Sequence, residues 1–268
     1  MDQHKPSAKS PPERPESHNA KSADVQLPLV DLSHPDALRT MRDVRLSQMH
    51  ALAQAEPVPS TVADWAVKHS ALKDKASKTE STLQFFGDSI TEYMGNGDPA
   101  NLNAFQRNFP SLKSANFGIA GDTSIGLFKR INDGELGGHP KALVMMIGTN
   151  DIPTSKSADE IAQNVANIVK TVRLSEPDTK ILIMGLLPRC APDDPAKTVD
   201  MAKIKQVNAE ISHLANGKTI RFLDIGDKFK DAKGNARQDL LPDYLHPNYA
   251  GYEVWSNAIK PVIESMTR

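Results

Sequence analysis

The sequence predicts an α/β protein built on a parallel sheet with helices on both faces. From Thr82 onward, short apolar runs alternate with amphipathic stretches of helical length, the pattern of strands joined by crossover helices. The runs are apolar almost throughout rather than at every second position, as strands buried on both faces require. A length of 268 residues accommodates one such domain with some chain to spare.

The elements read in order as follows. Residues 1–24 carry Pro6, Pro11, Pro12 and Pro15, and no Val, Leu, Ile or Phe precedes Val25. Such a segment cannot bury enough apolar surface to offset its ordering entropy, so a disordered tail is expected. Ser33-His34-Pro35-Asp36 reads as an N-cap with proline in the first turn, opening a helix that runs to about Ala55. A proline-broken linker, Glu56–Pro59, leads to a second helix over roughly Thr61–Lys75. That helix sets Val62, Trp65, Ala66, His69 and Leu72 at helical spacing, and its expected role is to cover one face of the main domain. Residues 25–80 thus form a helical extension and 81–268 the main domain. Strands are predicted at Thr82–Phe86, Ser114–Phe117, Ala142–Ile147, Lys180–Met184 and Thr219–Leu223. Helices are predicted near Leu102–Asn108, Ser124–Asn132, Ser157–Leu174, Ala196–Leu214 and Asn248–Met266.

Composition excludes several classes. Lys plus Arg number 32 and Asp plus Glu 33, a net charge of −1, without the basic excess of a nucleic-acid-binding domain. No nucleic-acid partner is expected. The longest apolar stretches, around Ala142–Ile147 and Ile181–Leu187, fall far short of a membrane span. Cys190 is the single cysteine, which leaves no internal disulfide and no cysteine-based metal site. Met1 is followed by polar residues with no apolar core, so no secretory signal is expected. That implies the cytoplasm, or the periplasm or exterior if a leader has been removed.

In a parallel α/β sheet, ligands bind beyond the carboxyl ends of the strands. The first strand ends in Gly87-Asp88-Ser89-Ile90, the second in Asn116–Asp122 and the third in Gly148-Thr149-Asn150-Asp151. The fifth is followed by a long stretch without helical pattern, ending in Asp243-Tyr244-Leu245-His246. Serine is a weak nucleophile until a neighbouring base takes its proton. His246 is a candidate base for Ser89, and Asp243, three residues earlier, can reach the imidazole Nδ1 across one tight turn. A developing oxyanion needs preorganised donors, which the backbone N–H of Ser89, the backbone N–H of Gly121 and the side-chain amide of Asn150 can supply. They converge only if the first strand lies between the second and third, a condition that the strand order 2-1-3-4-5 meets.

Gly87-Asp88-Ser89-Ile90, Gly121, Gly148-Thr149-Asn150-Asp151 and the Asp-x-x-His of Asp243–His246 resemble the four blocks of the SGNH (GDSL-type) hydrolase family, in the family's order. Within it, Asn116–Thr123, Asn132–Leu136 and Gly185–Arg189 are similar to the intracellular platelet-activating-factor acetylhydrolases. The resemblance covers about residues 82–266. It implies a flavodoxin-like three-layer sandwich and hydrolysis of an ester through an acyl-serine, with no metal and no cofactor. By that likeness Ser89 is the nucleophile, and Gly121 and Asn150 complete the oxyanion hole. His246 is the general base and acid, and Asp243 orients it. The positions matching those that narrow the acyl pocket are Ile90, Thr149 and Leu245, all bulky or branched, which implies acetyl or another short acyl group. The implied partner is a small-molecule ester, with a homo-oligomer compatible with the sequence. An acetylated saccharide as substrate, and acyl transfer to an alcohol by the same triad, remain alternatives. A flavodoxin-like binding module is the non-enzyme reading. Against it, Gly87–Glu92 carries two acids where an anion-binding loop offers amides.

Other polar residues have plainer readings. Asp88 is expected to be a structural turn residue directed away from the nucleophile, and Asp122 and Asp151 to cap helices. His4, His18, His34, His50, His69, His139 and His213 show no metal-ligand spacing and read as surface or packing residues. Trp255 and Tyr252 suit the apolar face of the last helix. Tyr93 and Tyr244 flank the catalytic groups, and Cys190 reads as inert.

Overall fold

The computed structural model describes residues 35–55, 64–96 and 107–268. The expected disordered tail, the Ser33 cap, the Glu56–Pro59 linker and most of the helix near Leu102–Asn108 lie outside these residues. Met1–Arg39 and Thr40–Arg268 form separate units; of the first, only the opening turn of helix α1 (Pro35–Ala55) is described.

Five strands form one parallel sheet in the order β2-β1-β3-β4-β5. They are β1 (Leu83–Gly87), β2 (Ser114–Gly118), β3 (Ala142–Met146), β4 (Lys180–Met184) and β5 (Ile220–Leu223). Every residue of β1 and β3 is buried, whereas β5, at an edge of the sheet, is half-buried throughout. This accounts for the unbroken apolar runs: a central parallel strand faces helices on both sides.

The crossovers explain the layering. From β1 the chain steps one way to β2; from β2 through β5 it steps the other way. Right-handed crossovers in opposite directions place their helices on opposite faces. Helices α4 (Ser124–Arg130), α5 (Ala158–Ser175) and α6 (Lys197–Ser212) pack in succession against one another. On the other face, α3 (Ser89–Asn96) meets α7 (Tyr249–Thr267), where the Tyr252 hydroxyl donates to the Ile90 carbonyl at 2.9 Å. Trp255 and Tyr252 are buried there. The result is the three-layer α/β sandwich that the sequence predicts.

Local signals set the helix ends. The Ser157 hydroxyl accepts from the Glu160 N–H, and the Glu160 carboxylate accepts in return from the Ser157 N–H, a capping box that starts α5. Asn248 caps α7 by accepting from the Gly251 N–H. The helix expected over Ser124–Asn132 keeps α-geometry only to Arg130 and then widens into a π-turn, Ile131–Glu135. Gly134, at φ 105°, cannot continue an α-helix, and the wider turn buries Glu135, whose carboxylate pairs with Arg130.

Helix α2 (Trp65–Lys78) ends three residues beyond the predicted boundary. Its buried residues are Trp65, His69 and Ala76, with Leu72 partly buried; Ala66, expected on the packed face, is exposed. Val62 lies outside the described residues. In α1, Met49 and Ala53 are buried. No helix among the described residues is long and apolar enough to cross a membrane.

Phe86 of β1 stacks on Phe117 of β2 with ring centroids 4.7 Å apart, and both are fully buried. Replacing Phe86 with alanine removes that stack and leaves a cavity in the centre of the sheet. Phe86→Ala is expected to lower the free energy of unfolding by about 3–5 kcal/mol, measured by urea denaturation.

Candidate active site

At the end of β1 the chain turns directly into α3. Gly87 permits this close approach: a Cβ there would lie 2.2 Å from the Thr91 Oγ1 and 2.4 Å from the Met146 carbonyl oxygen. Ser89 is the first residue of α3 and is 7% exposed. Its hydroxyl donates to His246 Nε2 at 2.8 Å, across 157 residues of sequence. His246 Nδ1 lies 2.6 Å from Asp243 Oδ2, so the tautomer with hydrogen on Nδ1 leaves Nε2 free to accept from the serine.

The Asp243–His246 turn is built around its own carboxylate. Asp243 Oδ1 accepts from the backbone N–H groups of Leu245, at 3.0 Å, and His246, at 2.7 Å. Tyr244, between them, takes a left-handed conformation at φ 57°. Burial works against the Asp243 charge, but the His246 ring and these amides outweigh it and hold the carboxyl below its usual range. The Tyr93 ring lies 5.2 Å from the His246 ring, and Tyr244 is half-buried.

The residues expected to supply the oxyanion donors lie on the same rim of the sheet. Register pairs Gly87 with Gly118 on one side and Met146 on the other, so the loops after β2 and β3 flank Ser89. Gly121, at φ 77°, occupies a left-handed conformation that favours glycine. The Asn150 side-chain amide donates to the Asp122 carbonyl at 2.8 Å, which orients it against the Gly121 loop while its second hydrogen remains to be given. Among the described residues, no group accepts the backbone hydrogens of Ser89 or Gly121.

The three expected acyl-pocket residues sit beside these groups. Ile90 and Thr149 are buried and Leu245 is half-buried. The Thr149 hydroxyl has no partner among the described residues, and its carbonyl accepts from Arg189 Nη1 at 2.8 Å. Cys190 contacts Asp200 at 3.5 Å, and burial pushes its thiol up.

Of the acids behind Ser89, Asp122 departs from its expected role. Asp122 does not cap a helix: Thr123 does, accepting from the Gly126 N–H. Asp122 is instead wholly buried and paired with the equally buried Arg130, Oδ2 to Nε at 2.8 Å. The cause is tertiary, because the two side chains meet under the strand ends. Asp151 does serve a helix N-terminus, accepting from the Ser124 N–H at 2.7 Å, but that helix is α4, the helix preceding its own strand. Asp88 accepts from the Ile90 N–H at 3.0 Å through Oδ1, while its buried Oδ2 has no partner among the described residues.

His69 also departs from its reading as a surface or packing residue. Its Nδ1 lies 2.6 Å from Glu135 and its Nε2 2.8 Å from Asp133. Both nitrogens face carboxylates, which favours a ring that carries hydrogen on both and a positive charge. Burial disfavours that charge, but the two carboxylates outweigh it and raise the pKa.

An α/β sandwich whose sheet rim joins a serine hydroxyl, an imidazole and a carboxylate has the architecture of an SGNH-type hydrolase. The chain belongs to the GDSL-like Lipase/Acylhydrolase family, which residues 85–254 match. It is 30% identical over 190 residues to the platelet-activating factor acetylhydrolase IB subunit alpha2 of Homo sapiens, covering 70% of this chain and 78% of that protein. Among solved structures, a GDSL-like lipase of Bacteroides thetaiotaomicron superposes with a TM-score of 0.62 at 21% identity, over 75% of this chain and 98% of that one. An acetylxylan esterase of Geobacillus stearothermophilus superposes with a TM-score of 0.51 at 23% identity, over 69% and 94%. At these identities the two structures bear on the fold alone. The chain is a carboxylic ester hydrolase, which sets aside the binding-module reading.

The state of Asp88 yields a test. Burial raises its pKa to about 7, and the carboxylates of Asp122 and Asp151 add to the rise against the Ile90 hydrogen bond. A folded pKa above the unfolded one means that the native state binds the extra proton. Stability therefore falls as pH rises from about 4 to about 7, by at most about 1.4 kcal/mol per pH unit. Asp88→Asn keeps an acceptor for Ile90 without the charge. Urea denaturation at pH 5 and 7 is expected to show a shallower pH slope in that variant than in the wild type.

Proposed function

We propose that the chain hydrolyses short-chain, acetyl-type esters through an acyl-serine formed on Ser89. The observation that carries this reading is the continuous link from Ser89 Oγ through His246, at 2.8 Å, to Asp243, at 2.6 Å. His246 takes the hydroxyl proton as Ser89 attacks the ester carbonyl carbon. The negative charge that forms on the carbonyl oxygen is received by the N–H groups of Ser89 and Gly121 and the amide of Asn150. His246 then returns the proton to the departing alcohol, leaving the acyl-serine. In the second half, His246 draws a proton from water, the hydroxide adds to the acyl carbon, and collapse releases the acid and restores Ser89. Asp243 holds the ring in the required tautomer and stabilises its charged form.

The acyl size follows from Ile90, Thr149 and Leu245, whose bulk beside the reacting groups leaves room for a short chain. The name of the Homo sapiens relative, an acetylhydrolase, is in keeping with this.

Ser89→Ala is expected to lower turnover of p-nitrophenyl acetate by about 10⁴-fold or more while the protein stays folded by circular dichroism, because triad members act as a unit. Retention of most activity would remove Ser89 from the mechanism. Across esters from acetate to octanoate, turnover is expected to be highest at the short end; a maximum at octanoate contradicts the narrow pocket.

A further inference from the structure

Gly121 lies between two residues that are anchored from outside the loop, and each anchor leads back to α2, ahead of the residues that match the family. On one side, the Ala120 N–H donates to a carboxylate oxygen of Glu92, and Lys68 grips both oxygens of that carboxylate at 2.9 and 3.1 Å. On the other side, Asp122 Oδ1 accepts from the Trp65 indole N–H at 3.1 Å, in a buried contact. Trp65 and Lys68 stand three residues apart and so share a face of the helix.

We propose that Trp65 and Lys68 are positioning residues for the oxyanion hole, with α2 acting as a clamp that fixes the peptide carrying the Gly121 N–H. The inference rests on the function proposed above. The bonds of both side chains end on Asp122 and Glu92, so the two residues act through the loop rather than on the substrate. The Asp122 carbonyl in turn receives the Asn150 amide at 2.8 Å, so one residue couples two of the three donors. At φ 77°, Gly121 has the conformational freedom to rotate its peptide unless its neighbours are held. A donor helps the transition state only if it already points at the forming oxyanion, so a released anchor is felt in the chemical step. Loss of a whole oxyanion donor costs about 10²–10³ in kcat, and a donor that is merely loosened should cost less.

The test compares the full-length wild-type protein with Trp65→Phe, which removes the indole N–H and keeps an aromatic ring, and with Lys68→Met, which removes the charge and keeps the chain length. Turnover of p-nitrophenyl acetate is normalised to the fraction of Ser89 that reacts with a fluorophosphonate, so unfolded protein does not count. Each variant is expected to lose about tenfold in kcat with KM within about twofold of the wild type. Inhibition by phenylboronic acid, whose tetrahedral serine adduct presents an oxygen to the same donors, is expected to weaken by the same factor as kcat. Normalised kcat within twofold of the wild type in both variants overturns the inference and leaves the proposed function standing. So does a loss of kcat with no weakening of the boronate. A loss in one variant alone keeps that residue in the clamp and removes the other. Wild-type protein that does not react at Ser89 overturns the function itself, and the clamp with it.

Discussion

Arg130 carries a full positive charge with no exposure to solvent, and much of the architecture around the site serves to satisfy it. An unpaired ion in a low-dielectric interior is prohibitively costly, so every face of the guanidinium needs an acceptor. Nε meets Asp122 at 2.8 Å, Nη1 meets the Glu135 carboxylate and the Phe117 carbonyl, and Nη2 meets the Gly87 carbonyl at 3.2 Å. The acceptors come from the ends of β1 and β2, the loop after β2 and the π-turn after α4. Only a planar fork with donors in fixed directions can tie four such segments together; a lysine ammonium in the same place would be a point charge. Burial opposes the charge, but the carboxylates outweigh it, so the arginine stays protonated. The widening of the chain at Ile131–Glu135 has its reason here, since an α-helix continued past Arg130 would not return Glu135 to the guanidinium.

The same arrangement sets the charge beneath Ser89. Asp88, Asp122 and Asp151 are buried behind the rim where the proposed mechanism forms an oxyanion, and three carboxylates there would oppose it. Asp122 is matched by Arg130 and Asp151 by Lys156 at 2.6 Å. Asp88 has no cation on its open oxygen among the described residues, and burial favours its protonated form up to about pH 7. The field at the site is therefore that of two compensated pairs and one acid that yields its proton late. Further out, His69 lies between Glu135 and Asp133, so Glu135 is shared by the His69 ring and Arg130. This balance lets a cluster of acids lie behind an anionic transition state.

How far the sequence reveals this depends on how local each feature is. The sheet was legible because a buried parallel strand writes itself as a short apolar run, and the place of β1 between β2 and β3 was legible because three donors could converge in no other way. The Asp243–His246 pair was legible because it is a single turn. Ser89 was legible from its place after β1, although its partner lies 157 residues away. What sequence reading missed are contacts made entirely by folding: Trp65 with Asp122, and His69 with Glu135, separated by 57 and 66 residues. The signal in α2 was present, since Trp65, His69 and Leu72 do fall on one face. Read as an apolar stripe, that face concealed the fact that the ring nitrogens of its Trp65 and His69 were addressed to carboxylates. Asp122 was misread for a related reason. An aspartate just before a helix is normally a cap, and only the position of Arg130 shows that it is spoken for elsewhere.

Why a charged cluster should support a catalytic loop, where apolar packing is the cheaper way to hold a helix to a sheet, has a physical answer. Dispersion contacts are weakly directional, so a packed loop tolerates small rotations of its peptides at little cost. Hydrogen bonds to buried carboxylates are directional, and their loss in a desolvated interior is expensive, so they fix angles as well as distances. An oxyanion hole is specified by angles. The chain that runs from the ring of His69 through Glu135, Arg130 and Asp122 to the amide of Asn150 is directional at every link. In the mechanism proposed above, it ties α2 to the donors that must be in place before any charge appears on the substrate. The desolvation of so many ions is thus balanced by the stiffness of the site they surround, and that stiffness is what a transition state with a briefly anionic oxygen requires.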